Sequence, residues 1–271
     1  MKKKIIILVI VIVIIVIVTI YFLLQKETFT NRVLNLQDMN YFYLTHNNEI
    51  RKNHILNEFK NFNLIEVNPV PATIKNKADR NQSGATGFIK ILDLACLYQD
   101  NNKLFQPFCI FEDDVIKNRE FPSHLEIPND TDLLYIGLTK FHWDAINFKH
   151  TMLYFDNIDD NFIRIYNMLT THGIIVCSMR GLLSMQKCML RDYHQKRPWD
   201  ISLTLIQPYL NVYALKDPLV YQYGKIGGEE GHTKINFLHR NSSNTIPDEK
   251  INKTDVITKT MMNLPSNNFS C

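Results

Sequence analysis

Three consecutive carboxylates, Glu112, Asp113 and Asp114, follow directly on the apolar run Phe108, Cys109, Ile110, Phe111. Acids set against a buried strand are costly unless they are solvated, paired or bound to a cation. In an open α/β sheet the crevice beyond the strand C-termini is also where ligands bind. In extended backbone Glu112 and Asp114 point to one side and Asp113 to the other. One pair can then hold a divalent ion with a diphosphate, while the remaining acid engages a sugar or ribose hydroxyl. Carboxylate oxygens suit hard cations, with Mg²⁺ or Mn²⁺ the natural candidates. The competing reading is an acidic surface turn, which the preceding FCIF disfavours.

Other groups capable of chemistry are dispersed. Residues 227–232 (GGEEGH) form an acidic, glycine-rich loop able to close over a site, where Glu229 or Glu230 can act as a base and His232 can add a metal ligand. His46 and Arg51 come just after the first expected strand, within reach of a nucleotide site. Arg180 follows Ser178 at an expected strand-to-helix junction and can meet phosphate. His172 stands before a buried strand, where a structural role is the commoner use. The Trp199 ring suits either stacking on a sugar or ordinary packing. His142, Trp143 and Asp144 occupy a loop that can contact an acceptor.

The elements that would position these groups alternate between strand-like and helix-like segments. Short apolar runs at 41–44, 64–67, 108–111, 132–137, 173–177, 212–215 and 219–223 read as strands, and periodic stretches at 49–60, 88–98 and 179–193 as helices. Residues 68–84, rich in Pro, Asn and Lys, read as a loop. The alternation predicts an α/β domain with a mostly parallel sheet flanked by helices. From 241 onward the polar tail reads as peripheral. Cys96, Cys109, Cys177, Cys188 and Cys271 show no metal-binding spacing, and buried thiols and disulfides are both open to them.

The first residues differ from everything after them. MKKK is followed by twenty residues, 5–24, of Ile, Val, Leu, Phe and Tyr with one Thr and no charge. A helix of that length is about 30 Å long, the thickness of a hydrocarbon core. The expectation is an uncleaved anchor with the lipid bilayer as partner. Lys2, Lys3 and Lys4 would keep residues 1–4 cytosolic and place the rest on the lumenal or extracytoplasmic side, in the ER or Golgi of a eukaryotic host. The expected organisation is a cytosolic N-terminus (1–4), a transmembrane anchor (5–24), a stem (25–40), a catalytic-type domain (41–240) and a polar tail (241–271). Asn-x-Ser/Thr triplets at Asn81, Asn129, Asn241, Asn252 and Asn268 are compatible with glycosylation on that side. A formal charge of +3, with dispersed Lys and Arg, does not favour nucleic acid.

IFEDDV (110–115) resembles the strand-end signature of glycosyltransferase family 25, which includes lipooligosaccharide and collagen-type galactosyltransferases, with Phe111 in place of the family's Leu. Segments 41–59, 132–137, 171–185, 197–200 (RPWD) and 218–222 (PLVYQ) resemble family elements in the same order, and the likeness spans about 41–233. The segment before the acids departs: SGATGFIKI keeps Gly84 and Gly87 but lacks the family's acid and histidine. The resemblance implies a GT-A-like fold. It further implies that Asp114, with Asp113 or Glu112, binds metal and nucleotide diphosphate, and that Asp200 is the base or an acceptor-orienting residue. The donor would be a nucleotide-sugar and the acceptor a glycan or glycoprotein, with Mn²⁺ or Mg²⁺ assisting. The rival expectation is a noncatalytic, membrane-tethered recognition protein that retains the fold. A Rossmann oxidoreductase is disfavoured because no GxGxxG follows a strand, and Ser178 lacks the setting of a hydrolase nucleophile.

Overall fold

The computed structural model describes residues 31–45, 48–68, 77–99, 104–138, 155–169, 171–195 and 198–222. In chain order the elements are β1 (Asn31–Asn35), β2 (Asn40–Leu44), α1 (Glu49–Glu58), β3 (Asn63–Val67), α2 (Lys77–Tyr98), β4 (Phe108–Glu112), β5 (Val115–Lys117), β6 (His124–Pro128) and β7 (Leu133–Tyr135). They continue as β8 (Phe155–Asn157), β9 (Phe162–Ile165), β10 (Gly173–Val176), α3 (Met179–His194), α4 (Trp199–Ile206), a 3-10 turn (Gln207–Tyr209), β11 (Val212–Leu215) and β12 (Val220–Gln222).

Eight strands form the main sheet in the order β3-β2-β4-β10-β7-β11-β9-β8. Its central strands β4, β10, β7 and β11 are almost wholly apolar because both of their faces are covered. Side chains alternate across a strand, so Phe108 and Ile110 join one core with α2, α3 and α4, through Phe88, Ile91, Met185 and Leu203. Cys109 and Phe111 face the other way, into a second core with Ile55 and Phe59 at α1 and Leu34 and Leu36 at the N-terminal edge. Two small antiparallel ribbons, β1-β6 and β5-β12, flank the sheet.

The α/β class holds, but the expected GT-A-like, mostly parallel sheet is corrected to a mixed one. Only β2-β3, β2-β4 and β7-β11 pair in parallel. The pairs β4-β10, β10-β7, β11-β9 and β9-β8 are antiparallel. β10 is the source of the error: its GIIV run is buried on both faces like a parallel strand, and composition does not reveal direction. Because β10 runs against β4, its first residue Gly173 pairs with Phe111 at the very end of β4.

Two segment readings also change. Residues 77–84, read as loop, are the first turns of α2. Gly84 is there for close approach, since a Cβ on it would lie 2.1 Å from the Trp199 ring. Residues 31–40, read as stem, supply β1 and the buried Leu34, Leu36 and Met39.

The membrane-spanning helix, with the bilayer as partner and the single-pass topology built on it, is likewise corrected. No helix among the described residues is long and apolar enough to cross a membrane. Segment 5–24, on which the expectation rested, lies outside the described residues. Membrane attachment therefore forms no part of the function argued below. The tail after 222 also lies outside them. Cys109, Cys177 and Cys188 are buried free thiols and Cys96 is a partly exposed one, which removes disulfides among these four.

Candidate functional site at the carboxyl edge of β4

β4 carries the acids out of the sheet beside the end of β2, where Leu44 is paired with Glu112. β10 enters at the same edge, so Thr171 and His172 arrive next to the acids from the opposite strand direction. α1 comes from the other layer. Its N-cap Asn48 accepts from the backbone N–H groups of Ile50 and Arg51, which fixes Arg51 in the first helical turn.

From there Arg51 Nη1 donates to Asp113 Oδ1 at 2.9 Å and lies 3.7 Å from Asp114 Oδ2. On the other side, Gln222 at the end of β12 donates through Nε2 to Glu112 Oε2 at 2.9 Å and to Asp114 Oδ2 at 3.2 Å. Thr171 donates its hydroxyl to Glu112 Oε1 and accepts the Trp199 indole N–H at 3.1 Å. Trp199 opens α4, and the next residue is Asp200. The strand ends at Glu112 and Asp113 and Asp114 form a turn, not the extended backbone on which the expected alternation rested; Glu112 and Asp114 share Gln222, while Arg51 faces Asp113 and Asp114.

Burial sets the electrostatics. It raises the Glu112 carboxyl above its ordinary range, and the neighbouring charges of Asp114, Asp200 and Asp113 push the same way against the Thr171 hydrogen bond. Asp114 is also raised by burial, with Arg51 and Gln222 opposing and Asp113 adding. Asp200 acts on both Glu112 and Tyr135, so the structure brings Asp200, Glu112, Asp113, Asp114 and Arg51 into one electrostatic neighbourhood.

Polar atoms here lack what burial normally demands. Asp114 is 2% exposed, and among the described residues no other residue donates to its Oδ1. Thr45, one residue beyond Leu44, is 1% exposed, and among the described residues its hydroxyl has no hydrogen-bond partner. Both sit at the ends of adjacent strands on the same edge.

As a cation site the cluster is narrower than expected. Glu112 accepts one protein donor on each oxygen, so a ligand role beside Asp114 would rest on its remaining lone pairs. Among the described residues no three carboxylate, imidazole or thiolate side chains converge in a metal-holding arrangement. Asp114 Oδ1 is open. One carboxylate oxygen matches a Mg²⁺-like ion that takes its other ligands from phosphate and water, so Asp114 is the readier ligand of the two.

Arg180 is not at this edge. It starts α3 beyond the far end of β10, where it lies 3.4 Å from Asp132 Oδ2 and donates to the Tyr209 carbonyl. Ser178 is occupied there too, donating to Asp132 at 2.6 Å and capping the Gly181 N–H at 3.0 Å. His172 is fully buried, with its ring against Gly137, and burial depresses its imidazole to about 3. His46, His142, Trp143, Asp144, Glu229, Glu230 and His232 lie outside the described residues.

Sequence reasoning missed Thr171 and Gln222 as parts of the site. The available signal was weak: each is a single polar residue bordering an apolar run. No protein-family model matches the chain, and no curated protein matches it in sequence.

Proposed function

We propose that the chain is a nucleotide-sugar-dependent glycosyltransferase that passes a sugar to a glycan or glycoprotein acceptor with the help of Mn²⁺ or Mg²⁺. The resemblance of 41–233 to glycosyltransferase family 25 motivates the reaction class. The observation that carries it is Asp114, buried just beyond a strand end with one open carboxylate oxygen, beside Arg51 and next to Glu112, on which Asp200 acts.

When bound, the cation supplies neutralisation of the charge developing on the departing nucleoside diphosphate. Asp114 would hold it through Oδ1. Arg51 keeps Asp113 paired and leaves a positive charge at the mouth of the cluster. Asp200 stands in the first turn of α4, where its Oδ1 accepts the Ile201 N–H at 2.8 Å. In an inverting displacement it takes the proton of the acceptor hydroxyl as the new bond to the anomeric carbon forms and the bond to diphosphate breaks. Glu112 acts as the tie between the Trp199 and Gln222 sides.

Release of nucleoside diphosphate from a panel of UDP- and GDP-sugars with Mn²⁺ tests the reading. Turnover that Asp114→Asn abolishes is the expected result. The engagement of both Glu112 oxygens favours one alternative, a binding domain without chemistry; nucleotide binding with no release across the panel would establish it in place of the transferase.

A further inference from the structure

We propose that Gln222 is the positioning residue for Asp114: its one amide nitrogen, shared between Glu112 and Asp114, turns Asp114 so that Oδ1 and not Oδ2 faces a cation. This rests on the transferase reading and names a residue that the family likeness leaves without a role.

With both carboxyls ionised the amide orientation is set. Its Nε2 meets Glu112 Oε2 at 2.9 Å and Asp114 Oδ2 at 3.2 Å. A flipped amide would set its carbonyl oxygen against two carboxylate acceptors, so both N–H bonds are committed. Arg51 Nη1 lies 3.7 Å from the same Oδ2. Asp114 is thereby held through one oxygen from two sides, and the other is left buried and open.

The far end of the lever is equally fixed. Glu112 is pinned by Thr171, which is pinned by Trp199, and Gln222 itself is fastened by β12 pairing with β5, where it opposes Val115. Gln222 therefore joins Asp114 to a rigid partner on each side. Loss of the amide frees Asp114 to rotate toward Arg51, which takes its open oxygen out of position without removing it.

The test is Mn²⁺ binding to the full chain, measured by the loss of the free-ion paramagnetic resonance signal, with and without UDP. Wild type should bind and Asp114→Asn should not. Gln222→Leu, similar in volume but unable to donate, should weaken Mn²⁺ by about tenfold, the scale of one charge-assisted hydrogen bond. Its affinity for UDP without metal should stay within about twofold, a split that general unfolding would not produce. Gln222→Asn, one methylene short, provides a second variant should the leucine chain fail to fold, and should also bind Mn²⁺ more weakly. Unchanged Mn²⁺ affinity in a folded Gln222 variant overturns the positioning role alone. No Mn²⁺ binding by wild type in either condition overturns the transferase reading and this inference with it.

Discussion

Trp199 donates its indole N–H to the Thr171 hydroxyl at 3.1 Å, and Thr171 passes the constraint on to Glu112. Trp199, open on sequence to either sugar stacking or ordinary packing, is thus a structural strut, with one ring face against α2 at Gly84 and a centroid distance of 6.1 Å to Phe88. Trp199→Phe deletes the donor and one ring of the bicycle. It should cost about 1 to 3 kcal/mol from the lost hydrogen bond and packed volume and lower turnover more than that stability loss accounts for, because Thr171 becomes free to rotate away from Glu112. Parallel urea titrations and rate measurements would separate the two effects, and a rate that follows stability alone would refute the strut.

Gly84→Ala meets the same ring. Alanine normally favours an α-helix over glycine by up to about 1 kcal/mol. Here its Cβ would lie 2.1 Å from the indole, so the sign reverses. A net loss of about 1 to 3 kcal/mol is expected from overpacking, visible as a lower thermal midpoint and a shifted Trp199 fluorescence maximum. A stabilised variant would mean that the ring has room to move.

The Arg51 side chain is 12% exposed and that of Asp113 4%. Arg51→Met would remove the Arg51 charge from beside Asp113 and Asp114, and breaking a buried pair from one side costs about 3 to 5 kcal/mol. Adding Asp113→Asn should recover part of the loss. Arg51→Lys should fall between, since it keeps the charge and loses the planar fork. Chemical denaturation of the three variants checks the order.

His172 gives the stability an acid limb. Its folded-state value of about 3 lies below the ordinary 6.5, so between those values the unfolded chain binds a proton that the folded chain excludes. Its contribution is complete above about pH 6.5 and declines as pH falls toward 3, by up to about 1.4 kcal/mol per unit. Urea midpoints of wild type and His172→Gln across pH 4 to 8 should differ by this slope, while the raised Glu112 and Asp114 carboxyls give both chains a slope of the opposite sign in the same window. His172→Gln should also lower stability at neutral pH.

Much of this was legible in the sequence. The β4 run and its acidic stop are found where FCIF-EDD places them, and the strands at 41–44, 64–67 and 212–215 coincide with β2, β3 and β11 within one residue. The direction of β10 was not legible, because a strand buried on both faces has the same composition whichever way it runs. That hid Thr171, which reaches the acids from a strand start and not a strand end. The helical state of 77–84 was hidden by the Pro, Asn and Lys content of 68–84, which reads as loop, while Gly84 at its end serves the Trp199 ring. Arg180 was misplaced for the same reason as β10, since a reversed strand sends its following helix to the opposite edge. The availability of Glu112 as a ligand could not be read either, because its occupants come from Thr171 and Gln222, distant in sequence.

Gln222 lies 110 residues after Glu112 in the chain, which fixes the order in which the site can come together during synthesis. Arg51 is already present when the acids emerge and pairs with Asp113 across 62 residues. Thr171 follows, and Gln222 arrives after every other strand of the described fold. Until then Glu112 and Asp114 lack a shared donor and remain hydrated. A growing chain therefore completes the main sheet with β11 only shortly before Gln222 closes the acidic edge, and a nascent chain stopped between them should hold every strand of that sheet yet be unable to hold Asp114 in place.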